Sequence, residues 1–448
     1  MYRKIKYQDQ GLAKKLLKRS LSFLLVLYLL IIILALVKGL VTISLMTGIV
    51  LLILFLFLEG SLLFGLRYLY KNWSQAHTGR FANYLRALEF RELLALLVVS
   101  QGLYDEDDGE IVYFPKMAIK FDFKAGRLFL QEPVDGNKYM ERFSNGLFDK
   151  AVETALLADR ETTEFKKNKL ISTFAFDPIK FRYKLTNLEP EKGKLQISKG
   201  IDWKYDSAYN ALISGNVGTG KSYMIFAILG QLLTVTKFVE IIDPKRSDLA
   251  SLKYIEELKG HVHSTQIEIN EAVLTFYDEM MERAKKMEKI KAKGQIGTYK
   301  DYNFAPHFLI FDEFGAYNQM NERLSFSDPL KESYDKAMSC LAEIAMLGRE
   351  LGFYIIIGMQ RPSADSLPTS IRGQLNFRLI MGMPRPEIGR MVFPDSEKEL
   401  RPLSNDLKGW GFLQVGNDEV RSFFAPEVEK GFHLHDYIRQ QIAKREKG

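Results

Sequence analysis

The eight residues Gly215-Asn216-Val217-Gly218-Thr219-Gly220-Lys221-Ser222 constrain this 448-residue chain more than any other stretch. They follow the apolar run Ala211–Ser214 and precede a helix-like run from Tyr223 to Leu229. Strand, glycine loop and helix in that order are what a nucleotide-binding P-loop requires. Loop N–H groups can wrap phosphates, and the helix N-terminus adds its positive dipole end. Lys221 is expected to reach the β- and γ-phosphates of ATP, and the Ser222 hydroxyl to hold Mg²⁺. Tyr223 closes the expected nucleotide-binding set.

The N-terminus is a different kind of sequence. Leu21 to Val37 and Leu40 to Leu58 are uncharged and apolar, and only Lys38-Gly39 separates them. Each run is near the ~20 residues that cross a bilayer, so the spacing predicts a transmembrane helical hairpin over 21–58. Neither run has a polar face, which argues against a buried soluble helix pair. Arg3, Lys4, Lys6, Lys14, Lys15, Lys18 and Arg19 precede the first run, and Arg67, Lys71 and Arg80 follow the second. The positive-inside rule then places both termini in the cytoplasm. So little lies outside the membrane that a receptor is excluded.

Net charge is +7, of which the first twenty residues carry +6. The basic balance is therefore a topology signal rather than a sign of nucleic-acid binding, and any DNA site must be a local patch. A single cysteine, Cys340, excludes a disulfide framework and suits a reducing cytoplasm.

Residues 59–103 read as a juxtamembrane helical segment. Ile111–Phe114, Lys116–Phe123 and Arg127–Gln131 read as strands, Tyr139–Leu157 as a helix and Leu170–Phe176 as another strand. A small α+β adaptor over 104–190 follows from these. From 191 to 430, apolar runs at 211–214, 238–242, 307–311, 352–359 and 377–383 alternate with helices, the pattern of a helix-covered parallel sheet. Residues 431–448 read as a tail.

Phe308-Leu309-Ile310-Phe311-Asp312-Glu313 is the second anchor. Four apolar residues form a buried strand, and two carboxylates stand at its C-terminal end, where open α/β sheets bind ligands. Asp312 is expected to hold Mg²⁺ through water, and Glu313 to polarise the attacking water. Gln360 ends another apolar strand and is placed to sense the γ-phosphate. Arg349, Arg361, Arg372 and Arg378 lie nearby in sequence, and an arginine supplied by a neighbouring subunit would stabilise phosphoryl transfer.

Further motifs run in the same order as in one known family. Leu195-Gln196-Ile197-Ser198, Ile242-Asp243-Pro244-Lys245-Arg246, Tyr277-Asp278-Glu279, Phe311-Asp312-Glu313-Phe314, Gly348-Arg349-Glu350-Leu351-Gly352 and Met359-Gln360-Arg361-Pro362-Ser363 resemble FtsK/SpoIIIE-type DNA translocases over about 190–425. The resemblance implies a RecA-like P-loop ATPase domain, usually a homo-hexamer, that moves DNA through a central pore. It assigns nucleotide and hydrolysis roles to Lys221, Ser222, Asp312, Glu313 and Gln360. Arg378 is the preferred trans-acting arginine and Arg349 the second. Lys245 and Arg246 fall where loops of this family face the pore, and a solvated turn with an Asp243–Lys245 contact explains them as well.

Two spans, no long linker and a tail too short for a winged helix depart from cell-division members. The compact layout is similar to the coupling proteins of Gram-positive conjugative plasmids and integrative conjugative elements. Those bring relaxase-bound DNA to a type IV secretion channel, and for this chain the expected partner is DNA, single- or double-stranded. A chromosome-segregation translocase, a protein-export ATPase and a non-hydrolysing scaffold are the alternatives. One P-loop counts against export, and the intact carboxylate pair against a scaffold. The lysine-rich run Lys285–Lys293 reads as a solvated helix face. His261 with His263, and His433 with His435, read as ordinary alternating positions rather than metal ligands.

Overall fold

The computed structural model describes residues 2–12, scattered positions between 15 and 68, and residues 79–447 apart from 157, 167–168, 177–181, 199, 326, 364–365, 397, 399 and 401–407. The two runs expected to cross a membrane lie largely outside the described residues. Among the described residues no helix is long and apolar enough to span a bilayer. Two compact units divide the chain, Met1–Phe176 and Asp177–Gly448.

The first unit is built on an antiparallel sheet in the order β1-β4-β5-β7-β6, comprising β1 (Arg3–Lys4), β4 (Ala118–Asp122), β5 (Arg127–Pro133), β6 (Ala158–Lys166) and β7 (Lys169–Phe176). A separate hairpin pairs β2 (Asp105–Asp107) with β3 (Glu110–Tyr113). Alternation along β5 turns Leu128 and Leu130 into the core, against Leu94, Ala95 and Val98 of helix α1 (Arg80–Ser100). The helix expected over 139–157 is two, α2 (Met140–Ser144) and α3 (Leu147–Leu156). Gly146 turns left-handed between them (φ 73°), and the Asn145 side chain accepts the Leu147 N–H at 3.1 Å. The start of the basic arm belongs to this unit, because Ile5 is buried and Arg3 pairs with Ile119. The boundary expected at 190 falls instead at 176, since Leu185 and Leu188 join the second core.

The second unit carries an eight-stranded sheet in the order β12-β11-β13-β14-β10-β15-β16-β17. A small pair, β8 (Leu195–Ser198) and β9 (Ile201–Trp203), precedes it. Strands β10 (Ala211–Gly215), β11 (Val239–Ile242), β12 (Val262–His263), β13 (His307–Phe311), β14 (Phe353–Met359) and β15 (Phe377–Met381) run parallel. The antiparallel strands β16 (Trp410–Val415) and β17 (Arg421–Phe424) extend one edge. Every residue of β10, β13 and β14 is buried, as strands covered on both faces must be. At about 1.5–3 kcal/mol for each large apolar side chain buried, these strands dominate the unit's cohesion.

Helices α4 (Lys221–Val235), α5 (Gln266–Lys291), α6 (Phe314–Glu322), α7 (Pro329–Leu351), α8 (Thr369–Arg372) and α9 (Pro386–Val392) fill the crossovers. The segment read as a tail is helix α10 (Leu434–Lys447), packed on α4. Its Tyr437 lies against Gly230, and Arg445 donates to the Leu233 and Thr236 carbonyls at the end of α4. Tyr437 and Ile438 are buried, so α10 is a structural element of the second unit rather than a tail.

Candidate active site

The loop after β10 makes the abrupt turn its glycines allow. Gly218 and Gly220 have φ of 81° and 105°, and Gly220 is the N-cap of α4. The Thr219 hydroxyl donates to Asn216 O at 2.7 Å and closes the loop on itself. Val217 at its tip is 84% exposed. Met224 is the first residue of α4 to donate back to the loop, at Gly220 O. The N–H groups before it are the orphans of a helix start, available to an anion. Gly215 is confined by contact: a Cβ there would meet Met381 Cβ at 2.8 Å.

This loop forms one wall of a cleft of about 630 Å³. Gly215, Asn216, Val217, Gly218, Gly220, Lys221, Ser222 and Tyr223 line it, and Asp312, Glu313, Gln360 and Lys245 join them. Three separate strand ends are thus brought together with the P-loop. Thr219 bonds within the loop and faces away from this lining.

Lys221 is buried and ion-pairs with Asp312, and its Nζ lies 2.7 Å from Glu313 Oε1. Burial raises the Asp312 carboxyl above the usual carboxylate range, against the opposing pull of Lys221. Burial also pushes Glu313 upward, but salt bridges with Lys221 and Lys245 outweigh it and hold Glu313 below that range. Glu313 is the left-handed N-cap of α6 (φ 54°), a conformation costly for a side-chain-bearing residue. Its backbone N–H donates to Asp312 Oδ1 at 2.9 Å. The hydroxyl of Ser222 and the carboxylate of Asp312 both line the cleft. Two hard oxygen donors beside a phosphate-binding loop suit Mg²⁺.

Lys245 does not contact Asp243. Asp243 is buried, and its Oδ2 accepts the Ser247 N–H and hydroxyl and the Ala250 N–H at 2.7, 2.8 and 3.1 Å. Lys245 turns instead into the nucleotide cleft, 2.6 Å from Glu313 Oε2. The lysine is thus engaged by Glu313 while its side chain stays partly exposed. Arg246 beside it is exposed and left-handed (φ 56°).

Neither expected trans arginine lines the cleft. Arg378 is half-buried on β15, paired with Leu212 three residues short of Gly215, and donates to Leu375 O at 2.7 Å and Val392 O at 3.4 Å. With its guanidinium committed to its own unit, Arg378 is poorly placed to reach a neighbour. Arg349 is exposed on the last turn of α7, over the Tyr209 ring. Arg361 and Arg385 border a smaller hollow beside Gly215 and Gln360. Arg182 and Lys408 line the main cleft and were not expected there. The only sequence signal for Lys408 is its position with Gly409 just before an apolar strand. His261 and His263 both bond Glu240, at 2.7 and 2.8 Å.

No family model matches the chain. Over 376 residues it is 27% identical to the Ftsk domain-containing protein YdcQ of Bacillus subtilis (strain 168), covering 81% of this chain and 75% of that protein. The DNA translocase SftA of the same organism is 27% identical over 182 residues, 38% of this chain and 18% of its own. The DNA translocase FtsK of Chlamydia trachomatis is 21% identical over 289 residues, 60% of this chain and 34% of its own. The chain therefore spans three quarters of the first relative and about a third or less of the other two. Among solved structures, the pCW3 conjugation coupling protein TcpA with ATPγS superposes with a TM-score of 0.48 at 16% identity, over 79% of this chain and 99% of that one.

Proposed function

We propose that this chain, an ATP-hydrolysing motor of the FtsK/SpoIIIE type, is a membrane-anchored DNA translocase. In this reading it is the coupling protein that delivers relaxase-bound DNA to a type IV secretion channel in conjugative transfer. The observation that carries the motor reading is the convergence of Lys221, Asp312, Glu313 and Gln360 on one cleft at the C-terminal ends of β10, β13 and β14. The similarity to FtsK-domain proteins supports DNA as the cargo.

ATP phosphates compete with Asp312 and Glu313 for Lys221, since the lysine's two carboxylate partners stand where the P-loop opens. Taking Lys221 onto the phosphates releases one of the two cations that hold Glu313. Ser222 and Asp312 would hold Mg²⁺, which neutralises charge developing on the phosphates. Glu313 then orients the attacking water and accepts its proton, and Gln360 sits between that carboxylate and the P-loop to report the γ-phosphate. Six copies in a ring would supply an arginine across each interface. Arg349, exposed, is better presented for that than Arg378.

ATP hydrolysis by the detergent-solubilised chain tests the reading, measured without nucleic acid, with single-stranded DNA and with duplex DNA. We expect stimulation by DNA and loss of at least about a hundredfold in rate in Lys221→Ala, the scale of removing a charge-stabilising group from a transition state. Robust hydrolysis indifferent to DNA would sink the translocase reading and favour protein export.

A further inference from the structure

Glu313 is gripped from two sides, by Lys221 at Oε1 (2.7 Å) and by Lys245 at Oε2 (2.6 Å). Nucleotide phosphates account for the release of Lys221, but nothing in the hydrolysis steps above releases Lys245. A carboxylate oxygen engaged by an ammonium group is a poorer acceptor for a water proton.

The loop that carries Lys245 has a fixed base and a free tip. Its base is pinned by the buried Asp243, whose Oδ2 collects three hydrogen bonds from Ser247 and Ala250. The Lys245 side chain is 42% exposed, so solvent and a polyanion can reach it at its contact with Glu313. Both partners of the contact stand beside or on strained backbone. Arg246 (φ 56°) follows Lys245, and Glu313 itself has φ 54°. Non-glycine residues held left-handed persist where the surroundings over-determine them, and they gather at switches.

We propose that Lys245 is a latch on Glu313. The ion pair holds the carboxylate back from the attacking water, and a DNA backbone phosphate draws Lys245 away and frees it. Lys245 is a positioning residue in this scheme and touches no reacting atom. A lysine suits the task, being a compact charge on a flexible stem, and exposed Arg246 adds a second cation to attract the polyanion. The trigger rests on the DNA-translocase reading; the latch itself rests on the contact.

Lys245→Met removes the charge and keeps most of the stem. ATP hydrolysis with and without DNA is compared for the wild type, Lys245→Met and Lys245→Arg, alongside binding of a fluorescent ATP analogue. The DNA-free rate of Lys245→Met should rise roughly three- to fivefold, the range a partly exposed ion pair can hold back. The ratio of DNA-stimulated to DNA-free rate should fall toward one. Lys245→Arg should keep the wild-type ratio, and the analogue titration sets the saturating ATP concentration at which the rates of each variant are compared. A DNA-free rate in Lys245→Met at or below that of the wild type overturns the latch, whether or not DNA stimulates the wild type. A wild type indifferent to DNA overturns the translocase reading instead, and the DNA-free rate of Lys245→Met still decides the latch.

Discussion

A hydrogen atom is all the side chain that β14 accepts at Gly358. A Cβ there would collide with Asp312 Oδ1 and stand 3.2 Å from Ile225 Cδ1 of the P-loop helix. Strand β14 lies between β13 and β10, so this glycine lets Asp312 lean past it toward Lys221. We expect Gly358→Ala to cost about 1–3 kcal/mol of stability, the usual scale of overpacking, and to lower hydrolysis by displacing Asp312. Thermal unfolding and ATPase rate, measured on the same preparation, check both parts. A variant with wild-type melting and wild-type rate would mean that the close approach is not needed. The pair of lysines on Glu313 makes the same point in another form. Lys221 was recognisable from its motif, whereas the engagement of Lys245 depends on two loops that are 68 residues apart in sequence.

Edge strand β12 shows what an element of two residues needs to stay in place. It pairs with β11 through Val262 and His263, and two backbone hydrogen bonds, from Ile241 to His261 and from Asp243 to His263, flank it. Glu240 on β11 adds a side-chain clasp by bonding both His261 and His263. Burial tends to raise Glu240, yet the two imidazoles overcome it and bring the carboxyl down to about 2. The bond to Glu240 raises His261 against the effect of its burial. The glutamate's contribution is therefore complete above its ordinary pKa of about 4.5 and is lost as pH falls toward 2. That of His261 is complete below about 6.5 and is lost as pH rises through its raised value. The clasp should be strongest between about pH 4.5 and 6.5. Glu240→Gln should lower stability there by about 1 kcal/mol and flatten the pH dependence. Denaturant melts across that range check it, and parallel curves for the two proteins would refute it.

At the scale of the whole molecule, the strongest unabsorbed feature is the apolar N-terminal stretch. Where its side chains are described, Phe23, Leu25, Val26, Leu29, Leu30 and Ile33 are exposed, as are Ile53, Leu54, Phe57 and Leu58. Exposed apolar side chains of this kind suit the bilayer anchor proposed above. We expect the full chain to stay with membranes through alkaline carbonate extraction and a chain starting at Gly79 to be released. Release of both would remove the anchor from the proposal. The two units differ in what they offer function. The first buries Glu132 and Asp149 side by side, with Ser172 donating to Asp149 at 2.8 Å and Arg160 paired to it at 3.0 Å. Burial and the neighbouring Asp149 carboxylate raise Glu132 well above its usual range. The second unit holds the whole nucleotide cleft.

The sequence by itself determined the motor's chemistry and which runs become the strands of its parallel core. A P-loop is a local object: strand, glycine turn and helix lie within some 25 residues, and their spacing alone carries the chemistry. The carboxylates at Asp312 and Glu313 and the amide at Gln360 are legible for a related reason, since each ends a run too apolar to be anything but a buried strand. Tertiary structure alone decided what such local patterns do not carry. The two-residue strand β12 is held by side chains from β11, and the antiparallel edge of β16 and β17 has no periodic signal stronger than its neighbours. The tail became α10 because Tyr437 found a glycine to pack against on α4. Arg378 was drawn inward to the carbonyls of Leu375 and Val392, while Lys245 was drawn to Glu313. Each of these depends on which distant backbone or charge lies within reach, and that is fixed only when the chain has closed on itself.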